Sequence, residues 1–132
     1  MLNECIFCKI IAGKIPCHKV YEDNNFLAFL DIAPRNPGHC LVIPKKHFRW
    51  VWDVPDIGEY FEVVRRIEKV IEKELKAKYV MSIVWGEEVP HAHVWLVPRF
   101  EGDNVEIKLG EIKKLGEQEM KRIAEKLRKA LK

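Results

Sequence analysis

The sequence has no long hydrophobic segment, no internal repeat and no low-complexity region. It contains no run of 18 apolar residues, so a membrane-spanning helix is not expected. The first ten residues, MLNECIFCKI, lack a charged segment followed by an extended apolar stretch, which argues against a secretory signal peptide. These absences predict a cytoplasmic protein without a membrane partner.

The net charge is small and cysteines are few. A net charge of +3 over 132 residues is too small to indicate a nucleic-acid partner. Only four cysteines are present, and disulfides are disfavoured in a cytosolic chain. Cys17 and Cys40 stand alone, and we expect both to be small packing residues. Cys5 and Cys8 form a C-x-x-C pair, which is either half of a metal site or a pair of reduced, half-buried cysteines.

What the sequence does contain is enough apolar material for one core. Hydrophobic residues make up 48% and charged residues 33%, which predicts a single soluble domain over residues 1–132. Residues 111–132 hold eight basic and four acidic side chains, and their apolar residues recur every three or four positions. We therefore divide the chain into a core, residues 1–110, and a C-terminal basic amphipathic helix. The simplest interpretation is that this helix packs on the core, and a basic docking surface is the alternative.

The elements of the core can be predicted from pattern. CIFCKIIAG is typical of a short helix that ends at Gly13, and KVYED, FLAFLDI and CLVIP are typical of strands. A long helix follows, capped by Asp53 or Asp56. One face of that helix is expected to carry Phe61, Val64, Ile67, Ile71 and Leu75. The strands YVMSIVW and HAHVWLVP follow, linked by a hairpin at GEEV. Bunched strands with short links favour an α+β fold, with an antiparallel sheet and helices on one face.

Two histidines stand close together in the last strand. Alternation places His91, His93 and Trp95 on one face, with Ala92, Val94 and Leu96 on the other. A neutral imidazole can be a nucleophile or a metal ligand, and the plain alternative is a histidine satisfied within the core.

His39 and His47 lie eight residues apart at the two ends of CLVIP, at most about 27 Å in an extended strand. They are not expected to act on one atom, but each can join the pair in the last strand from a neighbouring strand. Two of the histidines with Cys5 and Cys8 would make a Cys2His2 set, the usual composition of a structural zinc site. Positive charge for a reaction could come from Lys45, Lys46, Arg49 and Arg99, or these could be solvated surface cations.

The chain resembles the histidine-triad (HIT) family, in its Hint-like branch, over about residues 3–100. The resemblance rests on CIFCKIIAGKIP, VYEDNNFLAFLDIAPRNPGHCLVIPKKH and HAHVWLVPR. It implies a five-stranded antiparallel sheet with a long helix, and a homodimer that shares a larger sheet. It also implies binding of a purine nucleotide or nucleotide conjugate. The implied reaction is hydrolysis or transfer at the α-phosphate through a nucleotidyl-histidine intermediate.

The resemblance assigns roles to individual residues. His93 corresponds to the nucleophile, and His39 to a histidine that supports the phosphate site. Asp31 corresponds to the residue that binds the ribose hydroxyls. The apolar wall around the base corresponds to Phe7, Ile10, Phe29 and Ile32. A structural zinc site is implied at Cys5, Cys8, His47 and His91.

Two departures from the family pattern bear on catalysis. Trp95 stands where the signature has its third histidine, a position that contacts the phosphate. The loop ahead of the signature keeps Gly86 but has Glu87 and Glu88 instead of the Gly-Gln-Ser/Thr motif. Three functions therefore remain open. They are a hydrolase of nucleoside phosphoramidates or dinucleoside polyphosphates, a nucleotide-binding module with little or no turnover, and a zinc-stabilised dimeric scaffold whose basic helix contacts a partner.

Overall fold

A computed structural model describes residues 4–132. The strands are β1 (Lys19–Glu22), β2 (Phe26–Leu30), β3 (Cys40–Pro44), β4 (Tyr79–Ile83) and β5 (Val94–Arg99). The helices are α1 (Ile6–Ile11), α2 (Ile57–Glu74) and α3 (Glu117–Ala130), and a short 3-10 turn covers Val51–Asp53. Within residues 4–132, no helix combines the length and apolar character needed to cross a membrane.

The five strands form one sheet in the order β1-β2-β3-β5-β4, and every neighbouring pair is antiparallel. The α+β class and the antiparallel sheet predicted from the sequence are thus confirmed. Helix α2 connects β3 to β4, so β5 enters the sheet between them. This places the segment that precedes β5 beside the end of β3.

The sheet is covered on both faces, so the prediction of helices on one face is wrong. On one face, α2 packs over residues such as Ala28, Val42 and Val94. On the other face, α1 packs over residues such as Leu27 and Leu41. Nearly every residue of β2 and β3 is buried. Because both faces are covered, these strands read as apolar runs rather than as clean alternations.

Helix α2 begins at the second of the two predicted caps. The side chain of Asp56 accepts a hydrogen bond from the Glu59 backbone N–H at 3.2 Å, which satisfies one of the free donors of the first turn. The buried face consists of Tyr60, Val63, Val64, Ile67 and Ile71. Leu75 was predicted on this face, but it is the C-terminal cap and is 44% exposed.

Strand β5 begins at Val94, three residues later than predicted, and the link from β4 covers residues 84–93 instead of four residues. The ladder with β3 starts where Val94 pairs with Val42. Before that point the backbone bonds elsewhere, because the N–H of Ala92 donates to Phe48 O at 2.7 Å. The alternation of sides nevertheless extends back through this segment, since Ala92 packs with Val94 in the α2-facing core.

Helix α3 does not pack on the core, contrary to the simplest interpretation of its sequence. No residue of α3 is buried. Its apolar positions remain exposed at Met120, Ile123, Leu127 and Leu131. A C-terminal basic amphipathic helix is present, over Glu117–Ala130 rather than the predicted 111–132, and its apolar face has no cover within residues 4–132.

Candidate functional site

Helix α1 carries residues of two adjoining sites. Cys5 caps the helix, and its Sγ accepts a hydrogen bond from the Cys8 backbone N–H at 3.4 Å. Gly13 follows the helix with φ of +78°, a conformation that suits glycine and that ends the helix as predicted. Between the two cysteines, Phe7 is buried with its ring edge-on to the His93 ring at 5.3 Å.

The four residues assigned to a metal site lie together. One ligand atom from each of Cys5, Cys8, His47 and His91 falls within 4.8 Å of the others. His91 Nδ1 is 3.3 Å from Cys5 Sγ and 3.5 Å from Cys8 Sγ, and His47 Nδ1 is 3.3 Å from Cys8 Sγ. In a tetrahedral site with metal–sulfur bonds near 2.3 Å and metal–nitrogen bonds near 2.0 Å, sulfur and nitrogen stand about 3.5 Å apart. The spacing and the donor set therefore fit a metal ion.

The hydrogen bonding of His91 also fits a ligand role. Its Nε2–H donates to Pro44 O at 2.8 Å, because a carbonyl oxygen can only accept. In the neutral ring this leaves the lone pair on Nδ1, the nitrogen that faces the cysteines. Burial lowers the pKa of His91 to about 4, so the ring is neutral near pH 7. Burial raises the pKa of Cys8 to about 11, and a bound cation would oppose that effect by stabilising the thiolate.

A cavity of about 200 Å³ adjoins this cluster on the α1-facing side of the sheet. Seven of the eight residues predicted to bind nucleotide line it: Phe7, Ile10, Phe29, Asp31, Ile32, His93 and Trp95. Ile32 lies at the mouth and is 87% exposed. A mostly apolar cavity with few polar groups is the usual form of a small-molecule site.

His93 presents one ring nitrogen to this cavity. The side chain is only 4% exposed, and Nδ1–H donates to His91 O at 2.7 Å. In the neutral ring this bond places the lone pair on Nε2. No described residue forms a hydrogen bond with Nε2, and His93 lines the cavity. In that form, His93 has an oriented nitrogen with a free lone pair beside a space for a ligand.

His39, the eighth predicted residue, is not on the cavity wall. It is completely buried, and its ring centre lies 4.8 Å from that of Trp95. Arg35 N–H donates to His39 Nδ1 at 3.1 Å, which places the proton on Nε2 in the neutral ring. Within residues 4–132, Nε2 has no hydrogen-bond partner, and the nearest carboxylate oxygen, Asp31 Oδ2, is 3.6 Å away.

Burial lowers the pKa of His39, against the attraction of the Asp31 carboxylate. Trp95 lies between this histidine and the cavity, and the Arg35 guanidinium lies 5.0 Å from the centre of its ring. His39 therefore adjoins the cavity only through neighbours such as Trp95 and Asp31, which line it.

The segment before His91 is fixed by two neighbours. Arg49 Nη1 donates to Gly86 O at 2.7 Å, and Gly86, with φ of +86°, lies against the Trp50 ring. A Cβ at this position would approach that ring to 3.0 Å, so both the conformation and the space require glycine. The exposed carboxylates of Glu87 and Glu88 follow, and Glu88 lines the cavity.

The four cations proposed from the sequence lie away from the cavity. Lys45 pairs with Glu22 at 2.7 Å, and Arg99 pairs with Asp103 at 2.9 Å. The Lys46 ammonium lies 5.9 Å from the centre of the Phe48 ring, and Arg49 is engaged at Gly86. None of the four lines the cavity. Of the two interpretations, the geometry favours the surface cations.

Sequence reasoning missed part of the cavity wall. The residues after α1, Ile15, Pro16 and Cys17, line it, and so do Ile6, Leu41 and Val89. Cys40 is buried as predicted, whereas Cys17 is only partly buried and faces the cavity. The short apolar run of residues 15–17, which follows Gly13 and Lys14, was the available signal, because a chain leaving α1 must pass over the face that α1 covers.

Together, the fold and site define an α+β protein in which a histidine-containing cavity adjoins a cysteine–histidine cluster able to hold a metal ion. The HIT domain model matches residues 12–102. An uncharacterized HIT-like protein of Methanocaldococcus jannaschii is 45% identical over 116 residues, covering 83% of this chain and 89% of the relative. The chain therefore belongs to the HIT domain family.

Characterised and solved relatives extend the comparison. Adenosine 5'-monophosphoramidase of Schizosaccharomyces pombe is 37% identical, covering 86% of this chain and 94% of that protein. The crystal structure of SMU.412c from Streptococcus mutans superposes with a TM-score of 0.87 at 39% identity, covering 98% of this chain and 87% of that one. A zinc-bound histidine triad protein of Mycobacterium smegmatis has a TM-score of 0.73 at 32% identity, covering 92% and 91%.

Proposed function

We propose that this protein hydrolyses or transfers the nucleotidyl group of purine nucleotide conjugates, with His93 as the nucleophile. The observation that carries the proposal is the hydrogen bond from His93 Nδ1–H to His91 O, which leaves the Nε2 lone pair facing the cavity. A relative 37% identical to this chain is named as an adenosine 5'-monophosphoramidase, which supports a reaction at a nucleotide α-phosphate.

The reaction proceeds in two displacements. The Nε2 lone pair attacks the α-phosphorus and forms a P–N bond, while the bond to the leaving group breaks and that group takes the electron pair and a proton from solvent. Water then attacks the same phosphorus, releases a proton to solvent and breaks the P–N bond, which yields the nucleoside monophosphate and restores the neutral imidazole. Because the Nδ1 hydrogen bond already orients the ring, less entropy is lost when the nucleophile attacks.

The cavity supplies the binding groups in this proposal. The base packs between apolar walls that include Phe7, Ile10 and Phe29, and Ile32 covers it at the mouth. The carboxylate of Asp31, which lines the same cavity, accepts hydrogen bonds from the ribose hydroxyls. Trp95 contacts the phosphate and can donate one hydrogen bond through its indole N–H. His39 acts from behind Trp95 by holding that ring in place.

We also propose that the metal is zinc, held by Cys5, Cys8, His47 and His91. Two thiolates and two imidazoles at tetrahedral spacing are the usual structural zinc set. All four protein ligands fill the coordination shell, so this ion has a structural role. His91 would then bind zinc through Nδ1 and orient His93 through its backbone oxygen.

A homodimer is the proposed assembly, in the cytoplasm. Strand β4 is an edge of the sheet, with β5 on one side only. Its surroundings expose large apolar groups, including Tyr79 at 47%, Val84 at 38% and Trp85 at 52%. Pairing two β4 edges would cover these groups and join two sheets into one. Light scattering at micromolar concentration should give twice the mass of the chain.

The second candidate is a nucleotide-binding module with little turnover. Trp95 at the third histidine position favours it, because an indole cannot carry a proton as an imidazolium does. Among residues 4–132, no lysine or arginine lines the cavity, which favours it as well.

The test is release of AMP from adenosine 5'-phosphoramidate. We expect His93→Ala to lower the rate by at least about a thousandfold, since it removes the nucleophile itself. AMP binding, measured by calorimetry, should persist in this variant. Binding without His93-dependent release would support the binding module, and equal release by the variant and wild type would refute the proposal.

A further inference from the structure

We propose that Glu88, assisted by Glu87, selects nucleotide conjugates whose leaving group carries a positive charge. This inference rests on the proposed function and names its substrate class more narrowly. Under it, conjugates of amines with a second, cationic group are preferred over neutral amines. Conjugates with anionic leaving groups, including dinucleoside polyphosphates, are disfavoured.

Glu88 stands where a leaving group must lie. The cavity that holds the nucleotide is continuous at His93 and Trp95 with a small recess, and Glu88 lines both. None of the base-wall residues lines the recess, which is completed by Trp85, Gly86 and Glu87. Once the base and ribose occupy the apolar part of the cavity, the group beyond the phosphate is directed to this end.

A second observation marks the recess as a place for a reacting group. His93 is 96% buried, and its Nε2 has no hydrogen-bond partner among residues 4–132 while the ring lines the recess. The two glutamates therefore share a recess with a buried histidine whose Nε2 has no partner among residues 4–132, and they do not form an isolated acidic patch.

The charge around this end is one-sided. Three carboxylates, those of Asp31, Glu87 and Glu88, line the cavity and the recess, and no lysine or arginine between residues 4 and 132 does. Two cations lie nearby: the Arg35 guanidinium is 5.0 Å from the centre of the Trp95 ring, and Arg49 lines a groove beside the cysteine–histidine cluster that Glu88 also lines. The Arg49 guanidinium donates to Gly86 O and lies 3.7 Å from the centre of the Trp50 ring.

The two glutamates differ in what they already bind. Glu87 Oε2 accepts a hydrogen bond from Trp85 Nε1–H at 2.9 Å. Glu88 forms no ion pair or hydrogen bond with any residue between 4 and 132. The backbone ahead of them is fixed by Arg49 and Trp50 at Gly86, so the Glu88 side chain leaves a defined point. The carboxylate of Glu88 is therefore available to pair with a cationic leaving group, and Glu87 adds negative charge beside it.

The size of the effect follows from its setting. An ion pair at an exposed site is weak, and a partly enclosed one is stronger. We therefore expect a preference of about threefold to tenfold in kcat/KM for a cationic over a neutral leaving group. A like-charge contact should cost an anionic leaving group about as much, and added salt should weaken both effects.

The test uses three phosphoramidates of AMP with amines of equal length. Butylamine gives a neutral tail, 1,4-diaminobutane a cationic one, and 4-aminobutyrate an anionic one. We expect the wild type to rank them cationic, neutral, anionic. In Glu88→Gln the ratio of kcat/KM between the cationic and neutral conjugates should fall to near one. In Glu88→Lys the ranking should reverse, and Glu87→Gln should reduce the ratio by a smaller factor.

A matched control is Glu62→Gln, which removes a carboxylate that pairs with Arg65 on the surface of α2. This variant should keep the wild-type ranking, because Glu62 lies outside both cavities. The same ranking in the wild type and in Glu88→Gln would overturn the inference.

The inference can fail independently of the proposed function. Affinities of the three conjugates for His93→Ala, measured by calorimetry, test the charge preference without turnover. If no conjugate is hydrolysed yet the cationic one binds most tightly and only while Glu88 is present, the catalytic proposal fails and the selectivity stands. If all three are hydrolysed or bound alike, the selectivity fails whatever the rate.

Discussion

Two groups of side chains meet where β5 begins, and they differ in completeness. In the cysteine–histidine cluster, four donors face one another at the spacing of a metal site. At the phosphate end, Trp95 stands between His93 and His39, and the buried Nε2 of His39 has no partner within the described part of the chain. The cluster has all four of its expected donors, whereas the other group has Trp95 in place of the third histidine of the family signature.

His91 belongs to both groups and shows how they are joined. Its Nδ1 faces the cysteines, and its backbone oxygen accepts the Nδ1–H of His93. A change in the cluster is therefore expected to shift His93, the proposed nucleophile, through one backbone segment. A change at Trp95 is expected to leave the cluster untouched. We expect the first group to contribute mainly to stability and the second mainly to the proposed reaction, and variants of each group can separate these contributions.

The largest effect is expected from breaking the cluster. Cys5→Ser should lose the metal and lower the free energy of unfolding by about 4 kcal/mol or more, the stabilisation given by a ligand at a thousand times its Kd. For a chain of this length the Tm should fall by more than about 10 °C. Circular dichroism on heating and elemental analysis of the purified protein measure the two quantities.

Cys17→Ser is the matched control for that change, since Cys17 is a free thiol that faces the cavity and not the cluster. It should keep one equivalent of metal and lose about 1 kcal/mol or less. A Cys5→Ser protein with full metal content and an unchanged Tm would contradict the assignment of the cluster.

The next largest effect is expected at Trp95, which stands where the family signature has its third histidine. Trp95→His should raise the rate of AMP release by about tenfold to a hundredfold, the range associated with one added acid–base or phosphate-stabilising group. An imidazole there can donate to the phosphate and can also accept from His39 Nε2–H. Single-turnover kinetics with adenosine 5'-phosphoramidate measure the chemical step. The metal content should not change.

Trp95→Phe separates chemistry from size. It removes the indole N–H and reduces the ring without adding a titratable group. We expect no gain in rate. If the phenylalanine variant became as fast as the histidine variant, the bulk of the indole would be what limits the wild type.

The sequence was a good guide where a residue's role depends on motif position. Positions within sequence motifs predicted the four cluster residues and the nucleotide-binding residues. The structure brings the four cluster residues together, and it brings seven of the eight nucleotide-binding residues together around the cavity. Alternation also predicted correctly that His91 and His93 share a side, since both rings contact Phe7. Side-chain direction along an extended segment is a local property, so a local pattern suffices.

Features that depend on distant partners were not predictable in the same way. The late start of β5 follows from the bond of the Ala92 N–H to Phe48 O, a residue 44 positions away. The exposed apolar face of α3 follows from where residues 103–116 lead, which no periodicity encodes. The position of His39 behind Trp95 depends on how β3 and β5 are registered, with Leu41 opposite Trp95.

The smallest predicted effect concerns His39, whose Nε2 has no hydrogen-bond partner within residues 4–132. Burial lowers the pKa of His39 below its ordinary value near 6.5, while Asp31 opposes this. The native state then resists protonation that the unfolded chain accepts. As the pH falls below about 6.5, His39 should therefore lower the free energy of unfolding by up to about 1.4 kcal/mol per pH unit, until its native pKa is reached. Well above pH 6.5 the ring is neutral in both the native and the unfolded state, so His39 does not make the free energy of unfolding depend on pH there.

Asp31→Asn sharpens this test, because it removes the one charge that favours imidazolium at His39. The pKa of His39, followed by NMR of the ring protons in metal-loaded protein, should lie below 6.5 in the wild type and fall further in the variant. A wild-type value above 6.5 would mean that the carboxylate 3.6 Å away outweighs burial. His39 would then carry a positive charge behind Trp95 at neutral pH, and the phosphate end would hold the cation that its lining residues lack.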